Sequence, residues 1–360
     1  MKLCLLANAA SIHTQRWATY FFNQGHAVAV LSLTNAHIPG ATVQTVGPDP
    51  ARVGRSAYLL ALPRVRRALR TMTPDIVHGH YVGGYGLLAA LSGFHPLVLS
   101  AWGSDVLVVP RTNRCLKWIV QQSLRRADLI TSMADHMTAT IRSLGVNGAR
   151  VITLPFGVDT SVFHPNRRQA TNGVAPFIVS TRNLEPVYNV RLMIEALPKI
   201  FDASPNTRAE IIGDGSTRSG LEARARELGI DHRVSFTGRL PQSEIATRLS
   251  RADIFVSTSL SDGNNISLNE AMACGAFPVV TDIPANRQWI EHGRNGFLVD
   301  VDDPGGLANQ VLGGLGHADL RRSAADLNWQ IVQQRASWNS SMNLMEMTYQ
   351  DLIARRSIGD

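Results

Sequence analysis

Two acids, Asp262 and Glu270, stand eight positions apart in the run SDGNNISLNEAMACGAFPVVTD (261–282) and frame residues suited to holding a phosphate. Gly263, Asn264 and Asn265 read as a turn, Ser267 as a helix cap, and Leu268, Ala271, Met272 and Ala273 as an apolar helix face. A helix that starts there aims backbone N–H groups and the positive end of its dipole at whatever precedes it, which makes an anion site. Ser267 and Glu270 equally fit the S-x-x-E capping box of ordinary helices. The order around the run favours the first reading. A strand-like IFVSTS, the acids, the helix, Gly275 and then PVVTD make a β-α-β unit. Its polar loop lies at the carboxyl end of the first strand, the edge where open parallel sheets bind ligands.

The elements that must carry these residues recur along the chain. KLCLLAN, AVAVLSL, DIVHGH, LVLSAW, DLITS and VITLPF alternate with helical patterns in the first half; FIVST, AEIIG, VSFTG, IFVST, PVVTD and FLVD do so in the second. Such alternation predicts parallel sheets joined by right-handed crossovers, hence an α/β protein of two doubly wound domains. Its 360 residues are enough for two cores. The polar, Pro- and Gly-bearing stretch 156–176 reads as the linker. We therefore divide the chain into 1–165 and 166–338, with a final helical segment 339–360 expected to return to the first domain.

Composition excludes several classes. With 44% apolar and 18% charged residues and no apolar run near the roughly 18 residues of a membrane span, the chain reads as globular and not as a bilayer-spanning protein. The apolar stretch Leu3 to Ala7 is too short for a signal peptide and reads as a buried first strand, so a cytoplasmic protein is expected. Cys4, Cys115 and Cys274 are odd in number and far apart, which suggests neither a disulfide framework nor a zinc site. Charge is unevenly spread: 15 basic residues face 6 acids before residue 166, and 20 face 22 after it. The first glutamate in the chain is Glu185. A basic first half implies an anionic partner.

Together, DIVHGHY (75–81), LPFGVDTSVFHP (154–165), IIGDGSTRSGLEARARELGI with VSFTGRL, and the 261–282 run resemble the family 4 glycosyltransferases of GT-B fold. That large retaining group uses nucleotide-sugar donors, and the resemblance covers nearly the whole chain. It implies two Rossmann-like domains facing across a cleft, the first binding the acceptor and the second the donor. It also implies roles. Glu270 would bind the donor ribose, a carboxylate being able to accept two hydroxyl hydrogen bonds. Asp262, shorter than the family's usual glutamate, would face the transferred sugar. Asn264, Asn265, Ile266 and Ser267 would hold the diphosphate at the helix end. Arg182 would place a cationic fork on the same phosphates. Tyr188 stands where the family usually has a lysine, and could donate a hydrogen bond in its stead. Gly213, Arg239 and Leu240 would border the nucleotide base.

On the acceptor side the same resemblance points to Ser11, His13 and Arg16 after the first strand, and to His80 at the end of DIVHGH. Trp102 takes the place of a family histidine and reads either as a sugar-stacking wall or as a core residue. Asp105 would orient a hydroxyl. His78 and His80 have no third ligand nearby, and no metal or other cofactor is expected; the nucleotide-sugar is a substrate. Retention in this family is explained by a front-face route in which the leaving diphosphate helps deprotonate the acceptor, so no dedicated base is required.

SAYLLALPRVRRALR (56–70) reads as a basic amphipathic segment broken by Pro63. Arg64, Arg66, Arg67 and Arg70 could lie on an anionic membrane, placing the protein peripherally on its inner face and suggesting a lipid-linked saccharide acceptor. The other reading is a solvated face in an arginine-rich chain, since 3 lysines stand beside 32 arginines. Nucleic acid fits poorly, because no aromatic platform accompanies the charge. Besides a transferase acting in cell-surface polysaccharide or glycolipid synthesis, a transferase with a soluble acceptor, a nucleotide-sugar epimerase or hydrolase, and a non-catalytic nucleotide-sugar-binding protein stay open.

Overall fold

The computed structural model of the protein describes residues 1–146, 150–165 and 175–359; residues 166–174, in the middle of the expected linker, lie outside the described residues. The chain forms two compact units, one of Met1–Pro155 together with the chain from Met342 onward, the other of Phe156–Ser341.

In the first unit, seven strands form one sheet: β1 (Lys2–Leu6), β2 (Ala27–Ser32), β3 (Thr42–Thr45), β4 (Ile76–His80), β5 (Leu97–Ser100), β6 (Leu129–Ser132) and β7 (Arg150–Thr153), in the order β3-β2-β1-β4-β5-β6-β7. The second unit has six: β8 (Phe177–Ser180), β9 (Arg208–Ile212), β10 (Val234–Gly238), β11 (Ile254–Ser257), β12 (Phe277–Thr281) and β13 (Phe297–Val299), in the order β10-β9-β8-β11-β12-β13. Neighbouring strands pair in parallel throughout. Parallel strands are covered by helices on both faces, which is why Leu3 to Leu6 or Ile254 to Val256 are continuous apolar runs with almost no exposed surface. This is the GT-B architecture.

The strand order fixes where ligand loops meet. Each sheet reverses direction once, between β1 and β4 in the first unit and between β8 and β11 in the second. The loops leaving a reversing pair diverge to opposite faces and open a crevice at the carboxyl edge. In the second unit those loops carry Arg182 and the run 261–267. In the first they carry residues 9–13 and 80–84.

One strand goes unannounced in the sequence and one local expectation fails, each for an identifiable reason. β3 is an edge strand of mixed exposure, TVQT, too short and polar to show a period. Pro63 does not break its segment: one helix runs Ser56–Met72 through it. Pro63 and Leu59, whose carbonyl loses its partner, are both exposed, so the lost bond falls on the solvent side while packing of Ala57, Ala61, Val65 and Leu69 holds the helix.

The last helix, Trp338–Gly359, is tied to the first unit through Tyr349, which is fully buried. Its hydroxyl accepts from Trp17 Nε1 (3.2 Å) and bonds His78 Nδ1 (2.5 Å), while Tyr20 donates to Asn343 (2.5 Å). Tyr349→Phe keeps the ring and removes the hydroxyl, leaving two buried polar partners unmet. It should lower unfolding stability by about 1–3 kcal/mol in urea melts; an unchanged midpoint would show that the helix is held by packing alone.

Candidate active site

Arg182 leaves β8 with its guanidinium held from two sides. Nη2 donates to Asp262 Oδ2 at 2.6 Å and Nη1 to Asn265 Oδ1 at 2.9 Å. Both members of the ion pair are largely buried, with side-chain exposures of 8% and 15%, so solvent screens their attraction little. The Tyr188 ring lies 4.2 Å from the guanidinium carbon. Tyr188 thus offers Arg182 its π face. Its backbone is fixed by the loop after β11: Thr258 Oγ1 donates to the Tyr188 carbonyl (3.1 Å) and Leu260 N–H to Val187 (2.8 Å).

Asn265 is the fixed point of this arrangement. Its Oδ1 accepts from Arg182 and from the Leu268 N–H (3.1 Å), and its Nδ2 donates to Ser257 Oγ and Asn286 Oδ1, both at 3.0 Å. The helix therefore runs Ile266–Ala273 with Asn265 as its cap. Ser267 lies inside it, donating from Oγ to the Thr181 carbonyl at 2.9 Å, so neither the Ser267 cap nor the S-x-x-E box forms. Asparagine wins because its longer side chain reaches the cap position and the arginine together. Asn264 Oδ1 accepts from Trp289 Nε1 at 3.0 Å. The Ile266 N–H turns back to the Asn264 carbonyl at 2.9 Å. Among the described residues, three buried polar atoms at the loop ends have no partner, besides the amide of Asn269 inside the helix: Arg182 Nε, Asn264 Nδ2 and Thr181 Oγ1. Two of the three can only donate, which suits an anion.

Gly213, expected near a base, and Gly215 two residues on both approach backbone closely. At Gly213, with φ +147°, a Cβ would lie 2.2 Å from the Arg182 carbonyl oxygen; at Gly215 it would lie 2.4 Å from that of Leu184. Their small size lets the loop after β9 close against the segment carrying Arg182. Arg239 is exposed and lowers the pKa of Glu185 after the hydrogen bonds from Ser216, while Leu240 packs on the core of the second unit. Glu270 is partly buried on the helix one turn beyond Ile266.

In the first unit, His13, His80 and Trp102 come together at the carboxyl edge. The Trp102 ring, partly exposed, lies 5.6 Å from His13 and 5.1 Å from His80, so it is a wall between two imidazoles and not a core residue. His80 is 1% exposed, packed by Trp17 at 5.2 Å and His78 at 4.6 Å, and neither ring nitrogen has a partner among the described residues. Burial, then His13, pulls its pKa down to about 3. Burial, then Arg16, pulls His13 to about 4. Asp105 does not reach outward: its carboxylate accepts from the N–H groups of Val82 (2.9 Å), Trp102 (3.1 Å) and Gly103 (2.9 Å). It shapes the loop that presents Trp102. Ser11 precedes the helix Ile12–Asn23 without capping it.

The family described as "Glycosyl transferase 4-like" matches residues 2–134, and "Glycosyl transferases group 1" matches residues 165–323. Similar proteins include an N-acetyl-alpha-D-glucosaminyl L-malate synthase of Bacillus anthracis, 23% identical with 78% of this chain and 75% of that protein covered. A GDP-mannose-dependent alpha-(1-6)-phosphatidylinositol monomannoside mannosyltransferase of Mycolicibacterium smegmatis is 27% identical, covering 76% and 77%. The fold resembles sucrose-phosphate synthase from Thermosynechococcus elongatus, with TM-score 0.82, 17% identity and 99% and 100% coverage. It also resembles Anabaena HepE in complex with UDP and glucose, with TM-score 0.81, 19% identity and 98% and 100% coverage.

The histidine cluster gives a pH signature. The unfolded state binds protons below the ordinary 6.5 while folded His80 does not, so its contribution is complete above 6.5 and is lost as pH falls toward about 3. His80→Phe, matching the aromatic surroundings, should raise Tm more at a pH of about 5 than at about 8. Equal shifts at both would mean that His80 does not resist protonation.

Proposed function

This chain belongs to the family 4 type of glycosyltransferases, of GT-B fold and using nucleotide-sugar donors, and from that premise we propose a specific reaction. It moves a hexosyl group from a UDP- or GDP-sugar, with retention and without a metal, to a lipid-linked saccharide in cell-surface polysaccharide or glycolipid synthesis. The observation that carries this reading is the clamped Arg182, with its Nε and Asn264 Nδ2 lacking acceptors at the start of an α-helix.

In the second unit, Arg182 and the N-terminus of helix Ile266–Ala273 hold the diphosphate, and Glu270 accepts from the ribose hydroxyls. Because Asp262 already offsets the charge of Arg182, the helix end carries much of the leaving-group stabilisation. Asp262 acts on the donor through Arg182, whose fork it orients, as well as by facing the sugar. Tyr188 supports the guanidinium from below and adds no positive charge. Gly213, Arg239 and Leu240 border the base. In the first unit, Ser11, His13, Arg16, His80 and Trp102 bind the acceptor. Neutral imidazoles can each donate one hydrogen bond and accept another, which suits sugar hydroxyls.

A lipid-linked acceptor is supported by the basic first half and by the relative that acts on a phosphatidylinositol mannoside. It places the protein in the cytoplasm, peripherally on the inner membrane face. The relative named N-acetyl-alpha-D-glucosaminyl L-malate synthase supports the second reading, a soluble acceptor.

Nucleotide release from UDP- and GDP-sugars, measured with and without a lipid-linked saccharide, tests the reaction. Transfer predicts acceptor-dependent release; release without acceptor would favour an epimerase or hydrolase, and binding without turnover a sensor. Arg182→Ala should lower kcat by about 100- to 1,000-fold. Glu270→Ala should weaken donor affinity measured by calorimetry, and unchanged affinity and turnover would refute the donor site.

A further inference from the structure

Outside the two edges described above, the outer helices of the first unit expose an unusual combination of groups. On helix Ser56–Met72, at about 100° per residue, Leu59, Leu60, Pro63, Arg67 and Arg70 fall on the arc opposite the buried Ala57, Ala61, Val65 and Leu69. Leu59 and Leu60 are each 58% exposed. Helix Arg114–Arg125 repeats the pattern, with Trp118 60% exposed among exposed Arg114, Lys117 and Arg125. Both helices pack against the same helix, Tyr85–Ser92, which links two of the strands between them. Residues 50–74 and 106–127 contain no Asp or Glu.

The charge is not a by-product of an arginine-rich composition, because the second unit handles the same residue differently. There Arg191 and Arg224 pair with Glu195, Arg218 with Glu222, Arg248 with Glu210, and Arg287 with Asp282. On the first unit's outer helices, Arg64, Arg67, Arg70, Arg114 and Lys117 have no carboxylate partner among the described residues. Among the described residues, no helix is long and apolar enough to cross a membrane.

We infer that helices Ser56–Met72 and Arg114–Arg125 form one docking face for an anionic lipid bilayer, with Leu59, Leu60 and Trp118 entering the interface and the arginines meeting lipid phosphates. Exposed leucines beside cations give the two terms that hold an amphipathic helix in the interfacial plane, and tryptophan favours the headgroup level. The second helix makes the contact two-pointed, which fixes the orientation of the unit on the surface. The inference names the surface that serves a lipid-linked acceptor and rests on that reading for its purpose.

Sedimentation of the full chain with vesicles tests it. Binding is expected to vesicles of phosphatidylglycerol and phosphatidylcholine in equal parts and not to phosphatidylcholine alone. Arg67→Gln and Arg70→Gln should each weaken it about fivefold. Leu59→Ser with Leu60→Ser, and separately Trp118→Ser, should abolish most of it without moving Tm, since all three side chains stand in solvent. Absence of binding by the unaltered protein overturns the inference, and so does a Trp118→Ser variant that binds equally well. Self-association that Trp118→Ser removes in the absence of vesicles would assign the face to a second copy and also overturn it. UDP- and GDP-induced thermal shifts on the same samples separate the two readings: a retained shift with no vesicle binding refutes the docking face alone, and an absent shift refutes the donor site alone.

Discussion

Everything on the donor side of this protein depends on the fixation of one guanidinium. Arg182 has a long side chain that would lose considerable rotamer entropy on being held, and a charge that resists burial. Asp262 compensates the charge and Asn265 the geometry. All four hydrogen-bonding positions of the Asn265 amide are taken, by Arg182, Leu268, Ser257 and Asn286, so its rotamer has no freedom to release the arginine. The cap that starts the helix and the acceptor that positions the cation are the same oxygen. Helix dipole and guanidinium are therefore locked in register with each other.

A different device organises the first unit. Asp105, fully buried, commits its carboxyl oxygens to backbone amides from two loops and so joins the exit of β4 to that of β5. Burial raises its pKa while those hydrogen bonds pull it back. Behind the resulting wall of Trp102 sit His80 and His78, buried and neutral. Unmet polar groups inside a protein are costly, and a site that keeps them trades stability for the ability to bind a polar ligand.

Strand order and the two-unit architecture were legible because buried parallel strands must be continuous apolar runs, and LCLL, IFV and PVV announce themselves. The loop residues Arg182, Asp262 and Asn265 were legible as candidates, since each is a polar residue following such a run. Their partnership was not. They are 80 and 83 positions apart, and only the pairing of β8 with β11 brings them together. β3 gave no signal because an exposed edge strand needs no apolar pattern. Pro63 misled because a local rule about a lost hydrogen bond cannot know that the loss falls on the exposed side of a helix held by packing on the other.

The amino-acid sequence by itself determined the fold class, the edge at which ligands would bind and the residue types available there, because these follow from hydrophobic period and from chain order around strands. Tertiary structure alone decided what each residue touches. It made Asn265 the cap in place of Ser267, turned Asp262 toward Arg182, set Tyr188 face-on under the cation, and committed Asp105 to its own loops. The reason is physical: burial and hydrogen bonding assign polar groups by distance in space, and the sequence records distance along the chain.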